Sequence, residues 1–378
     1  SNFRAGVNAG NSIESGGNQN TVVGDEAGTA ITTGDNNTFI GYVAGDANTT
    51  ASNNAFVGTY AGTSNTTGAA NVALGSAALL TSTTGGFNTA IGADSLKANT
   101  TAANNTAVGY ASLTTNTTGA NNVAVGKSAG AAVTTGLMNT LIGAEAGDAL
   151  TDADYNVAVG KEALGSDTLG SKSVAIGTSA LYTQNFTSAT DAYNTAVGHN
   201  AGTNVTTGVY NAILGSLAGD ALTDADNNVA IGTFALSSDT LGSASTAVGH
   251  NTLYTQNFTS ATNTYNTAVG FHAGVNVTTA TLNTLIGGLA GDAITTGSYN
   301  VGVGGNSLGA TTTGGDNSAL GNNSLDSNTT GANNVGLGSN ALAGNTTASN
   351  NTAVGKSALF ANTTGSENVA MGVNSLLA

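Results

Sequence analysis

The residue before a recurrent glycine is always aliphatic or Met, from Val23 to Met371, and the residue three places after it is always Ala, Ser or Thr. That glycine occurs 21 times between Gly24 and Gly372, at intervals of 17 residues except for two of 21, Gly177 to Gly198 and Gly249 to Gly270. A period this regular is the first thing to resolve in a chain, because it sets the architecture. The aliphatic and small positions read as core. The next residue is Leu (Leu79, Leu113, Leu359) or Gly (Gly28, Gly130, Gly291), which suggests a second inward site either filled or left open, so that core thickness varies along the chain. Four residues before the repeat glycine, 19 of 21 units carry Asn and the others Ser173 and Ser245, as expected for a ladder of stacked amides.

A 17-residue unit with two short apolar stretches, Thr-Ala-Val and Ala-Ser-Leu, separated by Asn-Thr-Thr-Gly corners, is too short for a helical hairpin. Its Asn, Thr and Gly are also poor helix formers. Strand, turn, strand, turn is the economical assignment. No single coil buries its own apolar side, but stacked coils do, so the predicted fold is all-β: a parallel β-solenoid of about 21 coils. The repeat fills residues 1–378 as a single repetitive domain, and both ends fall inside the pattern, as in a segment of a longer fibre. Proline is absent, as suits backbone whose N–H groups are needed for the ladder.

Alternation in a strand places the residue two before the glycine opposite its neighbours. That residue is usually Ala, with Phe39, Phe56, Leu141, Ile213 and Leu285 among the exceptions, so the sequence predicts an outward apolar row packing against other copies of the chain. A parallel homotrimer is the form expected; the alternative is that small Ala tolerates exposure.

Composition narrows the function. Six basic against 21 acidic residues give a net charge of −15, which repels phosphate backbones and anionic lipid, so nucleic acid is not an expected partner. There is no cysteine, hence no disulfide, thiolate nucleophile or zinc ribbon, and no apolar run long enough for direct membrane insertion. No nucleophile–base–acid set or phosphate loop emerges: Gly-Lys-Ser at 126–128 and 355–357 places Lys at the variable residue after the repeat glycine. The chain reads as a non-enzyme without cofactors. An enzyme acting on surface polysaccharide would need a carboxylate groove that such short coils leave little room for.

The two longer intervals hold nearly the same insert, 72 residues apart, with Tyr182, Phe186 and Tyr193 in one and Tyr254, Phe258 and Tyr265 in the other. These aromatics are candidate contacts to a receptor or glycan, or pins for a four-residue bulge. Asp148, Asp152 and Asp154, repeated as Asp220, Asp224 and Asp226, are hard oxygen ligands of the type calcium takes, or solvated corners. His199, His250 and His272 fall on coils read as well apart, so that no two in one chain share a metal. Corner sequons at Asn48, Asn65, Asn99, Asn116, Asn328 and Asn362 are candidate glycan sites in a glycosylating source. Thr-Thr pairs recur in 14 coils, which raises an ice-binding reading; adjacent strand residues face opposite ways, and the row breaks at 151–193 and 223–265.

Units such as Asn122-Val123-Ala124-Val125-Gly126-Lys127-Ser128-Ala129 and Ser173-Val174-Ala175-Ile176-Gly177 resemble the head repeats of trimeric autotransporter adhesins of the YadA type, along essentially the whole chain. The resemblance implies left-handed parallel β-rolls that trimerise into an adhesive head; similar repeats occur in phage tail fibres. The unit here is longer, and no coiled-coil stalk or membrane-anchor strands are present in these residues. The expectation is an extracellular structural or adhesive fibre on a cell or virion surface, with itself and a host or cell-surface receptor or glycan as partners. The alternative is a self-polymerising, head-to-tail extracellular filament subunit.

Overall fold

The computed structural model describes residues 1–377 as short strands joined by turns, bends and irregular backbone, with no helix. Three-residue strands end at each repeat glycine and pair in parallel with the equivalent strand one coil on, for example Thr106↔Val123 and Val108↔Val125. The chain is a parallel β-solenoid. It divides into two units of coils, the first covering 1–192 and the second beginning at Tyr193. Each contains eleven such strands among the described residues, because Phe3–Ala5, ahead of the first full repeat, also pairs with Thr21–Val23.

The second apolar stretch is not a strand. Its alternate residues take left-handed backbone, Ala111 at φ 55° and Leu113 at φ 48° in one coil. They nevertheless bond between coils: the Ala111 N–H donates to Ala93 O at 3.0 Å and the Leu113 N–H to Ala129 O at 3.0 Å. Left-handed backbone costs an L-residue on the order of 1 kcal/mol. Here it closes the coil in few residues while still presenting N–H and C=O groups to the coils on either side.

Gly126 shows why each strand stops at glycine. Its φ is +141°, outside the range of L side chains, and a Cβ there would lie 2.3 Å from Gly143 O on the next coil. Either fact alone excludes a side chain.

The faces of the strand are the reverse of those predicted. The middle residue, two before the glycine, is buried: Val22, Phe39, Phe56, Ala124, Leu141, Ile213 and Leu285 are all sealed from solvent. The first and third residues face out, with Ile40 40% and Leu74 48% exposed. Parity explains the reversal. Asn four before the glycine and the residue two before it lie on one face, and the buried amide column fixes that face as the interior. The interior is narrow, so it takes Ala, while β-branched residues stabilise the pleat from outside.

Nor are the glycine-lined inward sites open. A Cβ on Gly62 would sit 2.4 Å from the Phe56 ring, and one on Gly147 would sit 2.7 Å from Leu141 and 2.8 Å from Leu150. Where this site is Gly, its volume is taken by a large strand residue or by an aliphatic three places on, as at Ile31, Val133, Leu150 and Leu222. Where it is Leu, the partner is polar, as in Leu113 with Asn116. The core keeps one thickness and changes its filler, as close packing demands. Phe39 and Phe56 stack inside it at 5.0 Å and 7°.

Candidate functional surfaces

The amide column predicted from Asn is present, but it bonds mainly to backbone. The Asn37 N–H donates to Asn20 Oδ1 at 2.9 Å, and Asn20 Nδ2 donates to Gly34 O at 2.9 Å. A second, discontinuous column lies at the corners, where Asn65 Nδ2 donates to Asn48 Oδ1 at 2.9 Å and Asn116 Nδ2 to Asn99 Oδ1 at 3.1 Å. This column contains the candidate glycan sites. Asn48, Asn65, Asn99, Asn116 and Asn328 are fully buried, and each Nδ2 also donates to the carbonyl three residues on, at 2.9–3.2 Å. The folded coil therefore offers none of these five nitrogens to a sugar; Asn362 is half-buried with the same bond, 2.9 Å to Gly365 O.

Each insert is anchored by groups that sequence reasoning missed. Asp167 Oδ1 accepts the N–H groups of Gly170 at 3.0 Å and Phe186 at 3.3 Å, and its Oδ2 accepts Gln184 Nε2 at 2.6 Å. Gln184 Nε2 also donates to Ser173 Oγ at 3.1 Å. Asp239, Gln256, Phe258 and Ser245 repeat the arrangement in the second unit. The two serines that interrupt the amide column are thus the positions where a glutamine enters from the opposite corner. The signal was available: at the corner position occupied by the buried Asn or aliphatic, Asp occurs only at 167 and 239 and Gln only at 184 and 256. Burial pushes the Asp167 carboxyl above its ordinary range, opposed by the Gln184 and backbone hydrogen bonds.

Of the insert aromatics, Phe186 and Phe258 are buried, Phe186 lying over Gly170, and they pin the bulge. Tyr182, Tyr193, Tyr254 and Tyr265 are exposed, and Tyr193 stacks on Tyr210 at 5.7 Å. Each insert returns to its coil through a two-residue bridge, Gly170–Ser171 with Thr190–Asp191 and Gly242–Ser243 with Thr262–Asn263.

The aspartates proposed for calcium knit coils together. Asp152 accepts the Thr135 hydroxyl, and Asp154 accepts the Leu137 N–H at 2.7 Å while its own N–H donates to Ser171 Oγ. Asp224 and Asp226 do the same with Thr207 at 2.6 Å and Val209 at 2.8 Å. Burial raises the Asp148 and Asp220 carboxyls. Among the described residues no group of three or more His, Cys, Asp or Glu could hold a metal ion. The histidines are not all apart: His250 and His272 lie on successive coils with ring centroids 5.8 Å apart. The 21-residue interval hid this, because residues 22 apart are neighbours there. In most of the Thr-Thr pairs the first hydroxyl bonds to the next coil, as Thr32 Oγ1 does to Thr49 O at 3.3 Å, and the second is the more exposed.

The widest continuous feature is the outer strand face. In each unit it presents a row of Val, Ile, Leu or Met beside a row of Thr, Val, Ala or Ser, with no charged side chain between Thr21 and Met371. No protein-family model matches the chain, and no curated protein matches it. Among the described residues no helix is long and apolar enough to cross a membrane.

Proposed function

We propose that the protein is an extracellular structural and adhesive fibre segment in which copies associate, as trimers, through the outer strand face. The observation that carries this is the unbroken aliphatic row. Ten strands in the first unit from Thr21 on and eleven in the second, at about 4.8 Å, make a stripe about 50 Å long and about 10 Å wide in each. That is on the order of 500 Å² per unit, at the upper end of the apolar patches monomers expose. Surface attachment and an adhesin-like or tail-fibre setting rest on the repeat's resemblance to adhesive heads and on the exposed insert tyrosines.

Light scattering tests the assembly. The expected mass is three times the chain's 36.4 kDa, falling to the single-chain value in Ile142→Lys, which places a charge on the stripe without entering the core. A monomeric wild type, or an assembly indifferent to that lysine, overturns the reading. Open-ended filaments would refute the trimer in favour of end-to-end stacking. Loss of attachment to a glycan or cell surface on replacing Tyr182 and Tyr254 by Ser tests the adhesive part.

A further inference from the structure

The duplication that copies residues around 161–182 into 233–254 keeps the core and changes one exposed corner. In the first copy Lys161 pairs with Glu162 at 2.9 Å, near Thr178 and Tyr182 in the sequence pattern. In the second the matching residues are Thr233, Phe234, His250 and Tyr254. The ammonium gives way to a hydroxyl at Thr233, and rings replace the carboxylate and Thr178, at Phe234 and His250.

Their arrangement is specific. Phe234 lies perpendicular to two rings of the next coil, His250 at 6.3 Å and 83° and Tyr254 at 6.1 Å and 89°. Phe271 extends the group, stacking on His250 at 5.7 Å. His250 and Phe271 are exposed, and Tyr254 is 37% exposed, so the group opens to solvent. Mutually perpendicular rings present π faces from two directions, the geometry that attracts an organic cation. Asp220 occupies the same column as Tyr254 two coils earlier, about 10 Å away by coil spacing. Its carboxylate accepts Ser237 Oγ at 2.6 Å and forms no ion pair among the described residues. The only Lys or Arg beyond residue 192 is Lys356. This corner thus has rings and a nearby carboxylate, and the one lysine of the second unit, Lys356, lies six coils further along the chain.

We propose that the Phe234–His250–Tyr254 corner binds an organic ammonium group, of the alkylated type carried by choline or a methylated lysine. The idea stands apart from the fibre reading, since a chain of any oligomeric mass can be titrated. Tetramethylammonium and choline are titrated by calorimetry and saturation-transfer NMR at low salt, with 3,3-dimethyl-1-butanol as the neutral isostere of choline. Saturable millimolar binding is expected, at least tenfold weaker for the neutral isostere and for Phe234→Leu, which keeps the apolar bulk and removes the π face. Tyr110→Ala, an exposed tyrosine of the first unit outside both inserts, is expected to leave the affinity unchanged. Equal binding of the neutral isostere would reduce the corner to a plain apolar patch and overturn the proposal. So would an absence of saturation up to 100 mM, or unchanged affinity in Phe234→Leu with a native circular dichroism spectrum.

Discussion

Replacing Ser82 by Asn is expected to stabilise the first unit, because it would join two broken amide runs. Asn65 Oδ1 and Asn116 Oδ1 are buried without a hydrogen-bond partner. Each Nδ2 donates to the preceding coil, so an Oδ1 is orphaned wherever the following coil lacks an amide: after Asn65 comes Ser82, and after Asn116 comes Val133. Ser82 is buried and receives only a long 3.4 Å contact from Asn99 Nδ2. An amide in its place would donate to Asn65 Oδ1 and accept from Asn99, giving one run from Asn48 to Asn116. The site has room, since its coil carries Leu79 where the Asn99 and Asn116 coils carry Leu96 and Leu113. Satisfying a buried acceptor is worth about 1–3 kcal/mol. Ordering the longer side chain costs up to about 1 kcal/mol. A net gain of about 1–2 kcal/mol corresponds to a rise of about 3–6 °C in a unit of this size. Thermal unfolding followed by circular dichroism reads the rise, and hydrogen exchange at residues 75–105 locates it, since stacked repeats need not melt together. The reasoning fails if the melting temperature stays level or drops in a natively folded variant. It also fails if the same gain appears in an Asn65→Ala background, where the acceptor is absent and the coupling should vanish.

Gly126→Ala combines backbone strain with a clash against the Gly143 carbonyl, so a loss of about 3 kcal/mol or more is expected by denaturant titration; a loss under 1 kcal/mol would contradict the account of the strand end. Phe56→Ala should cost about 3–5 kcal/mol and Gly62→Leu should clash, yet the double variant should recover much of the loss by moving the filler across the core; additive losses would refute the exchange of volume. The Asp167 carboxyl is pushed up by burial, so its charge destabilises the fold at neutral pH and protonation relieves this. Its stabilising contribution is complete below the unfolded value of about 3.9 and is lost as pH rises through the higher folded value. Between pH 7 and about 4 the first unit should therefore gain stability relative to Asp167→Asn. Parallel melting curves for the two proteins across that range would show that the buried carboxylate is fully compensated by its donors.

Much of the fold was legible because the same 17 residues repeat their instructions. The repeat glycine, the amide column, the strand before the glycine and parallel stacking all follow from spacing that recurs in register. The Ala-Ser-Leu stretch misled, because inter-coil bonding does not require extended backbone: Leu113 bonds to its neighbour from a left-handed conformation. At the inserts the aromatic residues were visible, whereas the Asp167–Gln184 anchor was not, since its meaning depends on two residues 17 apart meeting inside the coil.

The sequence by itself determined the period, the strand, the coil count to within one and the axis along which coils stack. These depend on local chain geometry and on translation by one repeat. Only the tertiary structure decided which strand face lies inside, what fills the glycine sites and which surface rings become neighbours. A two-residue alternation is symmetric until the coil closes, and closure around a narrow interior breaks that symmetry. It turns Ala124 inward and leaves Val123 and Val125 as the face offered outward.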